Sequence, residues 1–223
     1  GFFVDDSRDL QHIPLLKRTV ASVCFQKVSP IFQKILSLTG LVRGKSLTES
    51  AYPYGKLRKY CNELIATGEI DLIFLFSAAT APLVSTVHGI KIIADLVDVD
   101  SEKWKTYAQT ATWPLSWIYA READKLAAFE ATVATKADAT ILVSEDEARL
   151  FRSFNPTIGD KISAVANGVD TSAFDPSKYP KKEGNKRIIF TGAMDYQPNI
   201  EAVEWFCKEV WPQLKARHAA LVF

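Results

Sequence analysis

Three short apolar runs, DLIFLFS (71–77), KIIADLVDV (91–99) and ATILVS (139–144), constrain the fold of this chain more than any other feature. A nearly unbroken run such as 71–77 marks a strand covered on both faces, as in a parallel sheet. Helical patterns separate the runs. SPIFQKILSLTG is read as a helix capped by Ser29 and stopped by Gly40, and YGKLRKYCNELIATG as one ended by Gly68. Pro114 suits the first turn of a long helix reaching about Thr135, and EDEARLFRSF forms another. GFFV, TVASVCF and KISAVAN are further strand candidates. Alternation of this kind predicts an α/β protein. Residues 171–186, TSAFDPSKYPKKEGNK, are polar, hold two prolines and a glycine, and lack periodicity, as a linker does. Beyond them RIIFTG, NIEAVEWFCKEVWPQLKAR and ALVF form strand, helix and strand. The expected organisation is a parallel sheet domain over 1–170, a linker over 171–186, and the first βαβ unit of a second layer over 187–223. A unit that small cannot bury a core of its own, so the chain reads as cut at both ends.

With 48% hydrophobic and 24% charged residues, the composition is that of an ordinary globular protein. No window approaches 18 uncharged apolar residues, and the acidic start GFFVDDSRDL is no signal peptide. Cys24, Cys61 and Cys207 are widely spaced and lack a CxxC pair, so they are expected as reduced core thiols of a cytoplasmic protein. The three histidines are scattered, which argues against a histidine-built metal site. The net charge of +1 hides an asymmetry: residues 11–60 hold nine Lys/Arg against Glu49 alone. Solvated helix faces explain that excess, and so does peripheral contact with an anionic membrane or acceptor. Nucleic acid is not expected as a partner, because no nucleic-acid motif accompanies the charge.

Two stretches carry candidate chemistry. TGAMDYQPN (191–199) is a glycine-bearing turn between strand and helix, where unpaired helical N–H groups make a ready phosphate site. DLVDVDSEKW (95–104) packs Asp95, Asp98, Asp100 and Glu102 around a strand end. A carboxylate at the mouth of an open α/β sheet sits where such folds place ligands. Asp98-Val99-Asp100 also spells a DxD triplet, a common chance pattern, and no metal site is assigned to it. Ser144 and Glu145 end the run 139–144 and would face the same edge, although Glu145 equally suits the first turn of the next helix.

The order ADATILVSEDE, NGVD with a following F.P, and FTGAMDYQPN resembles the retaining glycosyltransferases of family 4, which have GT-B architecture. The likeness covers nearly the whole chain and looks nearest to the bacterial sugar transferases of exopolysaccharide and exosortase (PEP-CTERM) systems. It implies two Rossmann-like domains facing across a cleft, the first on the acceptor side and the second holding a nucleotide-sugar such as a UDP- or GDP-sugar. It implies a hexosyl-type transfer to a glycan or lipid-linked acceptor with retention of configuration, no cofactor and no metal. Gly192 would let the backbone approach the donor diphosphate, with Asp195 and Asn199 beside it; packing of strand against helix is the alternative use of that glycine. Asp98 would orient acceptor or sugar, and Asp100, Ser144, Glu145, Asn167, Gly168 and Asp170 would line the cleft. Glu130 matches a family glutamate, but its mid-helix position favours a structural role. Two departures stand out: the turn lacks the Arg and Lys that many relatives carry, and Asp98 stands where many have a histidine. The resemblance places further donor-side residues beyond Phe223, so this piece alone is expected to turn over no donor. A nucleotide-sugar epimerase and a non-catalytic nucleotide- or glycan-binding scaffold are the competing readings. Trp104, Tyr107, Trp113, Trp117 and Tyr119 are read as core and interface fillers.

Overall fold

The computed structural model describes residues 1–179, 186–194 and 197–223. The chain is a mixed α/β protein with parallel sheets, and it divides into two compact units, Gly1–Gly168 and Val169–Phe223.

The first unit begins with a strand β1 (Phe2–Val4), a short helix α1 (Ile13–Thr19) and a strand β2 (Phe25–Lys27) parallel to β1. Of the expected strand TVASVCF only Phe25 lies in β2: Thr19 ends α1, and Val20 to Cys24 form the irregular connection between them. Helices α2 (Pro30–Arg43), α3 (Leu47–Ser50) and α4 (Gly55–Ala66) follow. The main sheet is β3 (Leu72–Phe76), β4 (Lys91–Val97), β5 (Ala139–Leu142) and β6 (Ile162–Ala164), all parallel and paired in sequence order. Helices α5 (Asp100–Thr110) and α6 (Leu115–Lys136) connect β4 to β5, and α7 (Glu145–Phe154) connects β5 to β6.

The core forms where β4 and β5 meet α6 and α7: Ala94, Leu96, Val133, Ala134, Leu142, Phe151 and Ile162 are buried together. Leu57, Leu75, Leu83 and Val84 form a second cluster under α4. The run 71–77 departs from expectation. Leu75 is buried, but Leu72, Phe74 and Phe76 on the opposite face are exposed. β3 is an edge strand of this sheet, so an unbroken apolar run here does not mean cover on both faces.

Gly40 also departs from expectation. It lies inside α2, which continues to Arg43 and ends at Gly44, whose φ of 70° gives the left-handed cap. Gly40 is needed for close approach instead, since a Cβ there would stand 2.6 Å from the Ser46 backbone oxygen and 2.9 Å from Ser50 Oγ. Gly40→Ala is therefore expected to lower unfolding stability by about 1–3 kcal/mol, as overpacking against rigid backbone does. A urea titration that shows no loss would refute that contact.

In the second unit the described residues form α8 (Gln197–Trp205), a π-helical turn (Phe206–Val210) and α9 (Trp211–Arg217). The strands expected in RIIFTG and ALVF reduce to one parallel bridge, Arg187 to Val222, with Ile188 N donating to Val222 O at 2.8 Å. No described residue of this unit is fully buried, so little packing supports a longer ladder. Cys207 lies exposed here and Cys24 and Cys61 are half-buried, so none is the fully buried core thiol expected.

Candidate functional site

The carboxyl edge of the main sheet is strained at two neighbouring strand ends. Ser77, after β3, has φ of 68°, and Val97, the last residue of β4, has φ of 69°. A β-branched residue in the left-handed region is a genuine outlier, and such strain gathers at functional sites. Its origin lies in a register shift between Asp95 and Val97, where β4 bulges against β5. Asp98 N then donates to Leu96 O at 3.0 Å, closing a tight turn around Val97. Asp95 Oδ1 accepts from Val97 N at 3.0 Å, and Val97 O accepts from Val143 N at 2.7 Å. The bent strand end is thus held from both sides and delivers Asp98 to the edge.

Asp98 remains 44% exposed, and Lys103 Nζ stands 3.9 Å from its carboxylate. The same ammonium pairs with Asp100 Oδ1 at 2.8 Å. Asp100 is the first residue of α5, and Val99 occupies the cap position without a side-chain bond. Val99 N is instead taken by Glu147 Oε2 at 2.7 Å, which ties this loop to α7. The two carboxylates with one lysine between them make a polar, water-accessible corner able to accept hydrogen bonds from hydroxyl groups. Among the described residues no three potential metal ligands cluster.

The other expected residues fall as follows. Ser144 caps α7, its Oγ accepting from Glu147 N at 3.2 Å. Glu145, in the first turn of α7, pairs with Arg152 at 2.7 Å, and Arg152 also donates to Ile162 O at 2.8 Å. Asn167 and Gly168 are exposed beyond β6. Asp170 belongs to the second unit, where its Oδ1 accepts from Ser172 N and Ala173 N at 2.9 and 3.0 Å. The structure thus brings Asp98, Asp100, Ser144 and Glu145 to one edge of one sheet. In the second unit a Cβ on Gly192 would meet Asn199 Nδ2 at 2.8 Å and the Phe190 ring at 2.9 Å. Asn199 lies in the first turn of α8 and donates to Ala193 O at 2.9 Å, so a side chain at 192 would have to displace the Asn199 and Phe190 side chains. Asp195 lies outside the described residues.

Several residues that matter here were not singled out from sequence. Ser77 and Val97 carried no signal, since side-chain identity argues against positive φ at both. Glu147 did carry one, the S-x-x-E spacing from Ser144, although its carboxylate serves Val99 and not the cap residue. Glu130 is structural in its contacts: it is buried in α6, with Oε2 accepting from Ser101 Oγ at 2.6 Å and Oε1 from Ser101 N at 3.3 Å. Burial pushes its carboxyl up to about 7, against the opposing pull of the Ser101 hydrogen bonds. Trp104, Tyr107 and Tyr119 do pack on one another, with Trp104 and Tyr119 ring centres 5.3 Å apart. Trp113 and Trp117 do not fill the core but face solvent, Trp113 82% exposed.

A cavity of about 450 Å³ lies away from this edge, between α4 and α6, with Leu75, Ile92, Val133, Lys125 and Lys136 among its lining residues. No curated protein matches the chain. Residues 37–173, which contain the whole main sheet, both strained strand ends and the Asp98 corner, match Glycosyltransferase Family 4, and the chain belongs to that family.

Proposed function

We propose that this glycosyltransferase passes a sugar from a nucleotide-activated donor, such as a UDP- or GDP-sugar, to a glycan or lipid-linked acceptor with retention at the anomeric carbon. The observation that carries the reading is the strained carboxyl edge, where Val97 at φ of 69° presents the accessible carboxylate of Asp98 within the family-matched segment. In open α/β sheets that edge is the ligand edge. Asp98 accepts a hydrogen bond from a sugar or acceptor hydroxyl and orients it, while Lys103 holds the carboxylate in place. Departure of the diphosphate is stabilised electrostatically as positive charge develops at the sugar. Gly192, Asp195 and Asn199 take the donor side in this reading, outside the family-matched residues. The order of motifs favours a role in bacterial exopolysaccharide synthesis at the inner face of the membrane, with residues 11–60 in peripheral contact with anionic lipid.

The test is transfer by the full-length protein from a panel of nucleotide-sugars, with the anomeric configuration of the product read by proton NMR. Retention is expected, and Asp98→Ala should lower kcat/KM by about 100-fold, the scale of lost orientation, with the melting curve unchanged. Inverted product would overturn the stereochemical reading. Activity within twofold of wild type in the variant would remove Asp98 from the site. Interconversion of donor sugars without acceptor would identify an epimerase.

A further inference from the structure

Helix α2 is mounted with its apolar face outward. Ile31, Ile35, Leu38 and Val42 recur at spacings of four, three and four, which places them in one stripe. A surface helix ordinarily turns such a stripe into the core, yet all four are more than half exposed, Val42 92%. The inward side is instead centred on Gly40, in close approach to Ser46, with Gln33, Leu36 and Ser37 half-buried. Arg121 of α6 fixes this orientation by donating to the α2 carbonyls of Gly40 at 3.1 Å and Leu41 at 3.5 Å. The helix cannot roll its stripe inward without bringing a branched side chain to the place that only a glycine fits.

We propose that this face of α2 docks on an anionic lipid bilayer. The inference deepens the membrane contact suggested above for residues 11–60 by assigning it to one helix face, and it does not depend on the sugar chemistry. Charge selects the occupant. No Asp or Glu occurs between Asp9 and Glu49, and among the described residues neither Lys34 nor Arg43, both on α2, has an ion-pair partner. An apolar stripe flanked by unpaired cations is the pattern of a helix lying in the headgroup layer. Tryptophan supports the same occupant. One helical turn before Arg121, which anchors α2, stands exposed Trp117, with exposed Trp113 ahead of it. Indole is the side chain enriched at the membrane–water boundary. At 14 residues α2 is about 20 Å long at 1.5 Å per residue, and no helix among the described residues is long and apolar enough to cross a bilayer. The geometry is therefore that of a helix lying on the surface.

Sedimentation with phosphatidylcholine vesicles, with and without 3:1 phosphatidylglycerol, tests the proposal. Wild type should pellet with the anionic vesicles and weakly or not at all with the neutral ones. Ile35→Ser with Leu38→Ser should weaken that binding by about 10-fold or more, the effect of removing two aliphatic side chains from the interface, with the melting temperature held because both sites are exposed. Lys34→Glu with Arg43→Glu should abolish the preference for anionic lipid. Equal binding of the Ile35/Leu38 variant and wild type would overturn the proposal. Loss of binding only on Lys17→Glu with Arg18→Glu would overturn the α2 assignment while leaving the broader contact of 11–60. A wild-type dimer in sedimentation velocity that the Ile35/Leu38 variant dissolves, without vesicle binding, would also overturn it.

Discussion

Replacing Glu122 by alanine is expected to destabilise the first unit by about 3 kcal/mol or more, the largest single effect outside the apolar core. Glu122 lies in α6 and is completely buried. Its carboxylate takes three donors from the start of α3: Leu47 N at 2.6 Å, Thr48 N at 3.0 Å and Thr48 Oγ1 at 3.0 Å. Those two backbone N–H groups belong to the first turn of a four-residue helix and have no partner within it. Alanine leaves three donors unmet and a gap where the carboxylate stood, whereas Glu122→Gln keeps one oxygen and should lose about half as much. Chemical denaturation of the two variants separates these outcomes. A loss under 1 kcal/mol for alanine would show that α3 is held to α6 by something else.

Stability should also fall as pH rises from about 4.5 to about 7, through Glu130. Its carboxyl titrates near 7 in the folded protein against an ordinary 4.5, chiefly because burial penalises the charged form. Over that interval the folded state keeps a proton that the unfolded state has released, so unfolding becomes easier with each step upward in pH. The shift of about 2.5 units corresponds to about 3 kcal/mol, present in full below pH 4.5 and gone above pH 7. Glu130→Gln is neutral throughout and cannot contribute this slope. The stability of wild type minus that of the variant should therefore drop by about 3 kcal/mol between pH 4.5 and pH 8. A flat difference would show that Glu130 is ionised at neutral pH. The consequence reaches the site, because Ser101, which Glu130 holds, follows Asp98 and Asp100 at the start of α5.

Much of the architecture was legible in local pattern. The runs at 91–99 and 139–144 became β4 and β5, Ser29 and Ser144 cap the helices that follow them, and Pro114 immediately precedes α6. These features depend on neighbours three or four residues away, which is the range that propensity and capping report. The placing of Asp98, Asp100, Ser144 and Glu145 at one sheet edge was legible for the same reason, because they end or follow apolar runs read as strands. The strain beneath it was not, because φ at Val97 is set by pairing with β5, more than 40 residues away in sequence. The misread glycine at 40 is similar. Its neighbour is Ser46 across a turn, and composition could not distinguish a stop from a close approach.

Sequence by itself determined the α/β order of elements, the sites of most helix starts and a basic segment free of acid from Leu10 to Thr48. Tertiary structure decided which faces meet water: that β3 lies at a sheet edge with Phe74 and Phe76 uncovered, and that α2 carries its apolar stripe outward. It also decided the partners of the two buried glutamates, 75 and 29 residues away along the chain. Local pattern records what each segment can bury, whereas the assignment of faces and of buried hydrogen-bond partners arises only when distant segments compete for the same space.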